Sequence, residues 1–413
     1  MTVIVGAGLA GLTCAKVLAE AGHPFVLCEA AEGPGGRVAS DENSEGYILD
    51  RGFQVLLDSY PAARRHLDLD RLGGGRFRAG ALFVGQGKPR PLENPLRNPL
   101  SVVASLQANL LSLPDQLRLV RLLGQALRGL SSVDETTEAL LYRQGFSENF
   151  FRCFARPFFG GVLLDPSLQV SAKLFLNYLR QFFRGRAFLP SDGMRALPAQ
   201  LAHSLPSSSL RYGAAVREIL YCGTAVRGVV LQDGQFLPSD VLVLATDEPA
   251  ACRLLGKGSP RLAEATAVHY FSADRAFYQG GWLCLPPRVE ANPVLHAALV
   301  TNVAPAMAPP GKHLWSVTVL PDHPQASDAN RVANEVASWF GARAEELRPL
   351  DFIRVAYAVP RQPPGSQNDP PAWGRLPGGV LVAGDAVAGA SIDAAMTSGE
   401  VAAEKVISSQ AAT

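Results

Sequence analysis

Lysine is scarce in this 413-residue chain, with six Lys among 38 basic residues, and the 37 acidic residues leave a net charge of +1. No global field therefore draws in nucleic acid or an anionic surface, and any charged ligand must be held by a local site. The six cysteines, at 14, 28, 153, 222, 252 and 284, include no C-x-x-C pair and no neighbouring histidine cluster. That spacing excludes a zinc ribbon or a small disulfide framework, so reduced and mostly buried thiols are expected, with no metal site. No uninterrupted run of about 20 apolar residues offers a membrane span. Met1 leads almost directly into a strand, without a basic segment and apolar stretch before it. These features predict a cytoplasmic protein, with peripheral contact at the inner membrane face left open.

What is present is apolar material, 47% of residues, enough for one large core or two moderate ones. Residues 3 to 29 read as a buried strand, a glycine turn, a small-residue helix ended by Gly22, and a second strand after Pro24, which is one β-α-β unit. Residues 95 to 190 carry few strand signals and many Leu and Phe, with a helix start expected at Ser132 and Glu135. Within 113 to 130, apolar residues at 113, 117, 120, 123, 127 and 130 recur at helical spacing against Asp115, Arg118, Arg121, Gln125 and Arg128. Strand patterns return near 211: a hairpin about Asp233-Gly234, a strand at 241–245, further strands in 293–320, and a helix over 327–340. After a Pro/Gly-rich loop at 359–379, a buried strand ends in Gly384-Asp385 and a small-residue helix follows from about Ser391.

Gly6-Ala7-Gly8-Leu9-Ala10-Gly11 matches G-x-G-x-x-G between a strand and a helix. The glycines allow a tight turn and close backbone approach to a pyrophosphate, and the helix N-terminus supplies N–H donors. Glu29, at the end of the second strand, is placed to accept hydrogen bonds from a ribose. Gly33-Pro-Gly-Gly36-Arg37 follows at once, a second glycine turn that can offer N–H groups and a guanidinium to the same phosphates.

With that second loop the chain resembles the FAD-dependent amine oxidase superfamily, which includes monoamine oxidases, protoporphyrinogen oxidase and phytoene desaturases, and it lies nearest the desaturase-like branch. The resemblance rests on the N-terminal fingerprint, Gly36-Arg37, and Val382-Ala-Gly384-Asp385 followed by Gly389-Ala-Ser391-Ile392-Asp393-Ala394-Ala395-Met396. It implies an α/β, two-lobed protein. A Rossmann-like FAD domain of the glutathione reductase type would take residues 1–75, 189–260 and 365–413. A substrate domain with a helical lobe and a sheet would take 76–188 and 261–364. It further implies non-covalent FAD held by Gly6, Gly8, Leu9, Ala10, Gly11, Glu29, Ala30, Gly36, Arg37, Val216, Ala245, Gly384, Asp385, Ile392 and Asp393. Gly52, Phe53 and Gln54 would pass the isoalloxazine. Relatives commonly carry a lysine near flavin N5 on a strand matching Val268 to Ala273, yet no lysine lies between 257 and 312 here.

Ten of the 19 Phe residues fall between 146 and 188. They serve either as the core of a helical domain or as the wall of an apolar cavity, with Arg156 to Gly161, including Phe158 and Phe159, as the segment chosen for that wall. The leading expectation is an FAD-dependent oxidoreductase that moves hydride from an apolar, polyene-like substrate to flavin N5, with no acid or base residue assigned. Oxidation of an amine or of protoporphyrinogen is the alternative. A non-catalytic lipid carrier like the Rab GDP-dissociation inhibitors is another. The 113–130 helix is either a core helix with a wet face or a membrane-surface element. The electron acceptor leaves no mark in the sequence.

Overall fold

The computed structural model describes residues 1–85, 88–93, 111–129, 133–286, 292–366 and 376–411. Two sheets organise it. A five-stranded parallel sheet runs in the order Leu210–Arg211, Phe25–Cys28, Thr2–Val5, Val241–Leu244, Val380–Val382. These strands are near-continuous apolar runs, as expected where helices cover a parallel sheet. Helix Leu9–Glu20 crosses between the first two strands, and Gly22 ends the turn at φ +67°. The C-terminal helix, Ile392–Ala411, packs on that first helix so closely that a Cβ on Gly399 would lie 2.2 Å from the Ala10 carbonyl oxygen. The small-residue composition of both helices permits this approach.

A seven-stranded sheet runs in the order Arg348–Pro360, Ala263–Ala273, His313–Val319, Val294–Leu299, Leu283–Leu285, Gly80–Phe83, Arg90–Glu93. One face, with Ala267, Phe271, Trp315, Val317 and Leu299, packs against helix Ala329–Ser338. The opposite face is shared. Val268, Tyr270, Ala298 and Leu314 join the core of the parallel-sheet region, while Ala81, Phe83 and Leu285 join the core of the helical lobe. A small antiparallel sheet of Val216–Cys222, Ala225–Leu231 and Phe236–Pro238 contains the expected hairpin, with Gly234 N–H donating to the Leu231 carbonyl.

In the helical lobe, the helix signal expected at Ser132 falls on a residue outside those described. The helix that follows is Thr137–Arg143, capped by Thr136, whose hydroxyl accepts from Ala139 N–H at 3.1 Å. Residues Phe151–Phe159 form a π-helix that contains Pro157, whose missing N–H and bulky ring disrupt α-helical bonding. Phe146, Phe150, Phe151, Phe154, Phe159 and Phe175 are all buried in the lobe. The Phe146–Phe150 and Phe159–Phe175 rings lie 4.1 and 4.8 Å apart. Most of the Phe cluster is thus core, with Phe158 half-buried at its margin, between Phe154 and Phe182.

Helix Leu113–Leu127 is seated with much of its apolar stripe outward: Leu113, Leu117 and Val120 are 51%, 55% and 46% exposed, and of that stripe only Leu123 is buried among the described residues. Leu122, Leu123, Ala126 and Asp115 face inward instead. Asp115 explains the rotation. Its carboxylate accepts from the Ser112 hydroxyl at 2.7 Å and from Ser147 N–H and hydroxyl at 3.0 and 2.6 Å, and it pairs with Arg118 at 3.2 Å. One buried carboxylate therefore ties the starts of two helices together. Residues 94–110, including Arg97, and 130–132 lie outside the described set.

All six cysteines are unpaired. Burial pushes the thiols of Cys14 and Cys284 up to about 12, so they pack as apolar groups. No described helix is long and apolar enough to cross a membrane.

Candidate functional site

The first glycine turn closes over the C-terminal end of the parallel sheet. Gly6 adopts φ +107°, and a Cβ there would lie 2.7 Å from the Ala245 carbonyl oxygen; one on Gly11 would lie 2.0 Å from the Gly6 oxygen. Gly8, which begins the helix, has no side chain to cap the first N–H groups. Those donors point outward from the sheet end, the geometry of an anion cradle.

The second glycine turn lies against the first. Gly35 N–H donates to the Ala7 carbonyl at 2.9 Å, Gly8 and Gly35 form a parallel bridge, and a Cβ on Gly36 would be 3.7 Å from the Gly8 Cα. Glu29 sits beside them. One carboxylate oxygen accepts from Ala7 N–H at 2.7 Å and the other from Ala31 N–H at 2.9 Å, which fixes the group at the rim and leaves lone pairs for a vicinal diol. Val216 opens the strand after this rim, half-buried, and Ala245 follows strand Val241–Leu244 beside Gly6.

Arg37 and Asp385, 348 positions apart in sequence, form an ion pair at 2.6 Å, and Arg37 also donates to the Ala358 carbonyl at 3.0 Å. Burial works against the guanidinium charge, but the Asp385 hydrogen bond and charge outweigh it and raise the Arg37 pKa. The short helix Asp385–Ala388 that carries the carboxylate is braced from behind. Arg261 donates to the Ala386 carbonyl at 2.8 Å while its Nε bonds buried Glu248, which also accepts from the Tyr357 hydroxyl at 2.9 Å. Ser391 caps the C-terminal helix, its hydroxyl accepting from Ala394 N–H at 3.0 Å, so the helix N-terminus opens beside Gly384-Asp385. Asp393 turns the other way. Its carboxylate accepts from Ala62 N–H at 2.8 Å, at the start of helix Pro61–His66.

The segment Asp50 to Gln54 crosses between the two sheets. Gln54 donates from its amide nitrogen to the Arg37 carbonyl at 2.8 Å, and its buried amide oxygen has no hydrogen-bond partner among the described residues. Gly52 takes φ +99°. Phe53 lies edge-on to Phe77 and to His296, with ring centres 6.0 and 5.1 Å away. Tyr270 donates to the Asp50 carbonyl at 2.8 Å, tying the segment to the seven-stranded sheet. On the other side, Tyr178 from the helical lobe donates to the Ala390 carbonyl at 3.2 Å.

Paired glycine turns that any Cβ would fill, a rim carboxylate, a helix N-terminus and an unsatisfied amide oxygen together fit a dinucleotide bearing a polar ring system. The carboxyl of Asp50 itself is structural. It accepts from the Ser40 hydroxyl at 2.5 Å and Met194 N–H at 2.9 Å, and burial pushes its pKa up to about 6. A folded-state value above the unfolded ~3.9 means that this group's stabilisation is complete below pH ~4 and is lost as pH rises through 6, by about 3 kcal/mol. Asp50→Asn keeps an acceptor and cannot ionise. Its melting temperature should therefore change less than wild type's between pH 4.5 and 7.5, which paired thermal melts would measure.

Two buried polar residues carry no signal in the sequence. His296 and Thr318 stand in apolar strands, and only their burial without partners marks them. His269, by contrast, is a satisfied core histidine, its Nε2 lying 2.7 Å from the Ala326 carbonyl.

Known proteins agree with this architecture. A phytoene dehydrogenase from Streptomyces griseus is 28% identical over 377 residues, spanning 76% of this chain and 71% of that one. An oxidoreductase from Methanosarcina mazei superposes with a TM-score of 0.78 at 19% identity over 98% of this chain and 99% of that one. A putrescine oxidase bound to putrescine gives 0.69 at 17%, covering 98% of both chains. The latter two likenesses establish the fold alone. The family profile of flavin-containing amine oxidoreductases matches residues 9–407, and the chain belongs to that family of FAD-dependent oxidoreductases.

Proposed function

We propose that the protein is an FAD-dependent desaturase acting on a long, apolar, polyene-like substrate. The observation that carries this reading is the similarity to phytoene dehydrogenase along three quarters of the chain. The residue set supports it: no lysine stands on strand Ala263–Ala273, and the helical lobe is built on an aromatic and aliphatic core. We assign the pyrophosphate to the turns at Gly6–Gly11 and Gly33–Arg37, the ribose to Glu29, and the flavin edge to the helix N-terminus at Ile392. The bound cofactor supplies hydride acceptance. The chain's own residues orient the substrate and exclude water from it.

Anaerobic mixing of the flavin-loaded protein with phytoene should bleach the ~450 nm flavin band, the absorption that belongs to the oxidised cofactor. Bleaching by amines under air, with peroxide release and none by phytoene, would assign amine oxidation instead. Protoporphyrinogen serves as a third substrate in the same assay.

The exposed stripe of Leu113, Leu117, Val120 and Leu127, flanked by exposed Arg121 and Arg128, supports delivery of such a substrate from a lipid surface. The wild-type protein should float with anionic liposomes at low salt. Leu117→Glu combined with Val120→Glu should abolish flotation and leave the melting temperature unchanged, because both side chains already face solvent. Wild-type protein that stays in the pellet fraction excludes the membrane contact.

A further inference from the structure

The shared face of the seven-stranded sheet carries a polar pair where two cores meet. His296 on strand Val294–Leu299 is directly opposite Thr318 on strand His313–Val319, and Thr318 in turn is opposite Val268 on strand Ala263–Ala273. Residues opposite one another in antiparallel strands share a face, so the three side chains form a row across the sheet. Their strands lie at the seam between the parallel-sheet core, which holds Val268 and Ala298, and the helical-lobe core, which holds Leu285 and Phe83.

His296 is 3% exposed and Thr318 1%. Neither ring nitrogen of His296, nor the Thr318 hydroxyl, has a hydrogen-bond partner among the described residues. Desolvation lowers the His296 pKa to about 4, so the ring is neutral near pH 7 and presents one N–H donor and one lone pair. The ring touches the Asp50–Gln54 segment and the turn after the π-helix. Phe53 lies edge-on at 5.1 Å, and a Cβ on Gly161, just after Phe151–Phe159, would lie 2.6 Å from Nδ1. Burying polar groups without partners costs stability, and a pure hydrocarbon would leave that cost in place.

We propose that His296 and Thr318 form a hydrogen-bonding subsite that reads a hydroxyl or carbonyl group on an otherwise apolar substrate. The proposal rests on the polyene reading in taking the rest of the ligand to be a long apolar chain. It makes the natural substrate an oxygen-bearing polyene rather than the parent hydrocarbon. With Nδ1 packed against Gly161, the imidazole Nε2 is left for a ligand as donor or acceptor according to tautomer, and with a hydroxyl beside it this suits either group. A site built to hydrogen-bond a polar substituent also discriminates strongly against the analogue that lacks it.

The test is equilibrium binding to the flavin-loaded protein in detergent, read from perturbation of the flavin band and of tryptophan fluorescence. The probes are phytoene and phytoene derivatives bearing one hydroxyl or one keto group. Wild type should bind an oxygenated probe roughly tenfold to a hundredfold tighter than phytoene, the equivalent of one or two satisfied buried groups. Thr318→Val, which keeps the side-chain shape, should reduce that preference, and His296→Leu with Thr318→Val should erase it while phytoene binding holds or improves. Equal binding of all probes by wild type, or an undiminished preference in both variants, overturns the subsite. Binding of no probe at all overturns the polyene reading and the subsite with it, an outcome distinct from equal binding.

Discussion

Gly11→Ala should purify nearly colourless, retaining roughly a tenth or less of the wild-type flavin, a loss that corresponds to about 1.4 kcal/mol or more in cofactor affinity. The reason is a collision inside the protein. The new Cβ would lie 2.0 Å from the Gly6 carbonyl oxygen and 3.1 Å from the Ala245 side chain, so the first helix must move off the sheet. That movement carries the unsatisfied N–H groups away from the pyrophosphate position, and overpacking of this kind costs about 1–3 kcal/mol in stability. Two companion substitutions separate the causes. Gly8→Ala meets nothing closer than the Gly35 oxygen at 3.9 Å, so it should leave the melting temperature of the flavin-free protein unchanged and still impair flavin retention, through a methyl group at the phosphate position. Gly33→Ala meets nothing within 4 Å and should leave the melting temperature of the flavin-free protein unchanged. Absorbance ratios of the purified proteins and thermal melts of their flavin-free forms check all three. A yellow Gly11→Ala protein of wild-type stability would remove the cradle from this turn.

The glycine turns could be read from the sequence because their chemistry is local. The pattern at Gly6–Gly11, the acid at Glu29 and the loop at Gly33–Arg37 are each fixed by the backbone path of a few residues. The hairpin about Asp233-Gly234, the strand at 241–245, the strands in 293–320 and the helix over 327–340 were legible for the same reason, since period 2 and period 3.6 are visible in a single window, whereas helix Glu248–Leu255 and strand Leu283–Leu285 are too short to show one. What escaped depends on contacts between distant segments. The Arg37–Asp385 pair joins residues 348 positions apart, and no spacing rule predicts it. Helix Leu113–Leu127 shows an apolar stripe, but the side it buries is set by Asp115 and its partners on Ser147, 32 positions onward. His296 looked like any residue of an apolar strand, and its significance arises only where two cores meet on one sheet face. The Phe cluster shows the converse. Its density in sequence fitted a lobe core or a cavity wall equally, and packing decides for the core by using most of the rings to fill the lobe, with Phe158 left at the edge.

Asp385→Ala should lose flavin far more readily than Asp393→Ala, though the two carboxylates stand eight positions apart in the same motif. Asp385 is 7% exposed and holds Arg37 at 2.6 Å. Removing it leaves a half-buried guanidinium whose remaining hydrogen bond among the described residues goes to the Ala358 carbonyl, so it can swing away from the second glycine turn. Cofactor affinity should fall roughly tenfold to a hundredfold, the range for losing one charge-assisted contact and the positioning of its partner. Asp393 instead bonds Ala62 N–H at the start of helix Pro61–His66, so Asp393→Ala removes a helix cap and should cost about 1 kcal/mol of stability with little change in flavin content. The Arg37→Ala, Asp385→Ala double variant separates direct contact from positioning. If Asp385 acts only by holding Arg37, the double variant should bind flavin as weakly as Arg37→Ala alone, and if both groups contact the cofactor, its affinity should fall further. Titration of each flavin-free protein with FAD, followed by flavin fluorescence, measures these affinities. Equal affinity in wild type and Asp385→Ala would mean that the Gly384-Asp385 strand end does not face the cofactor.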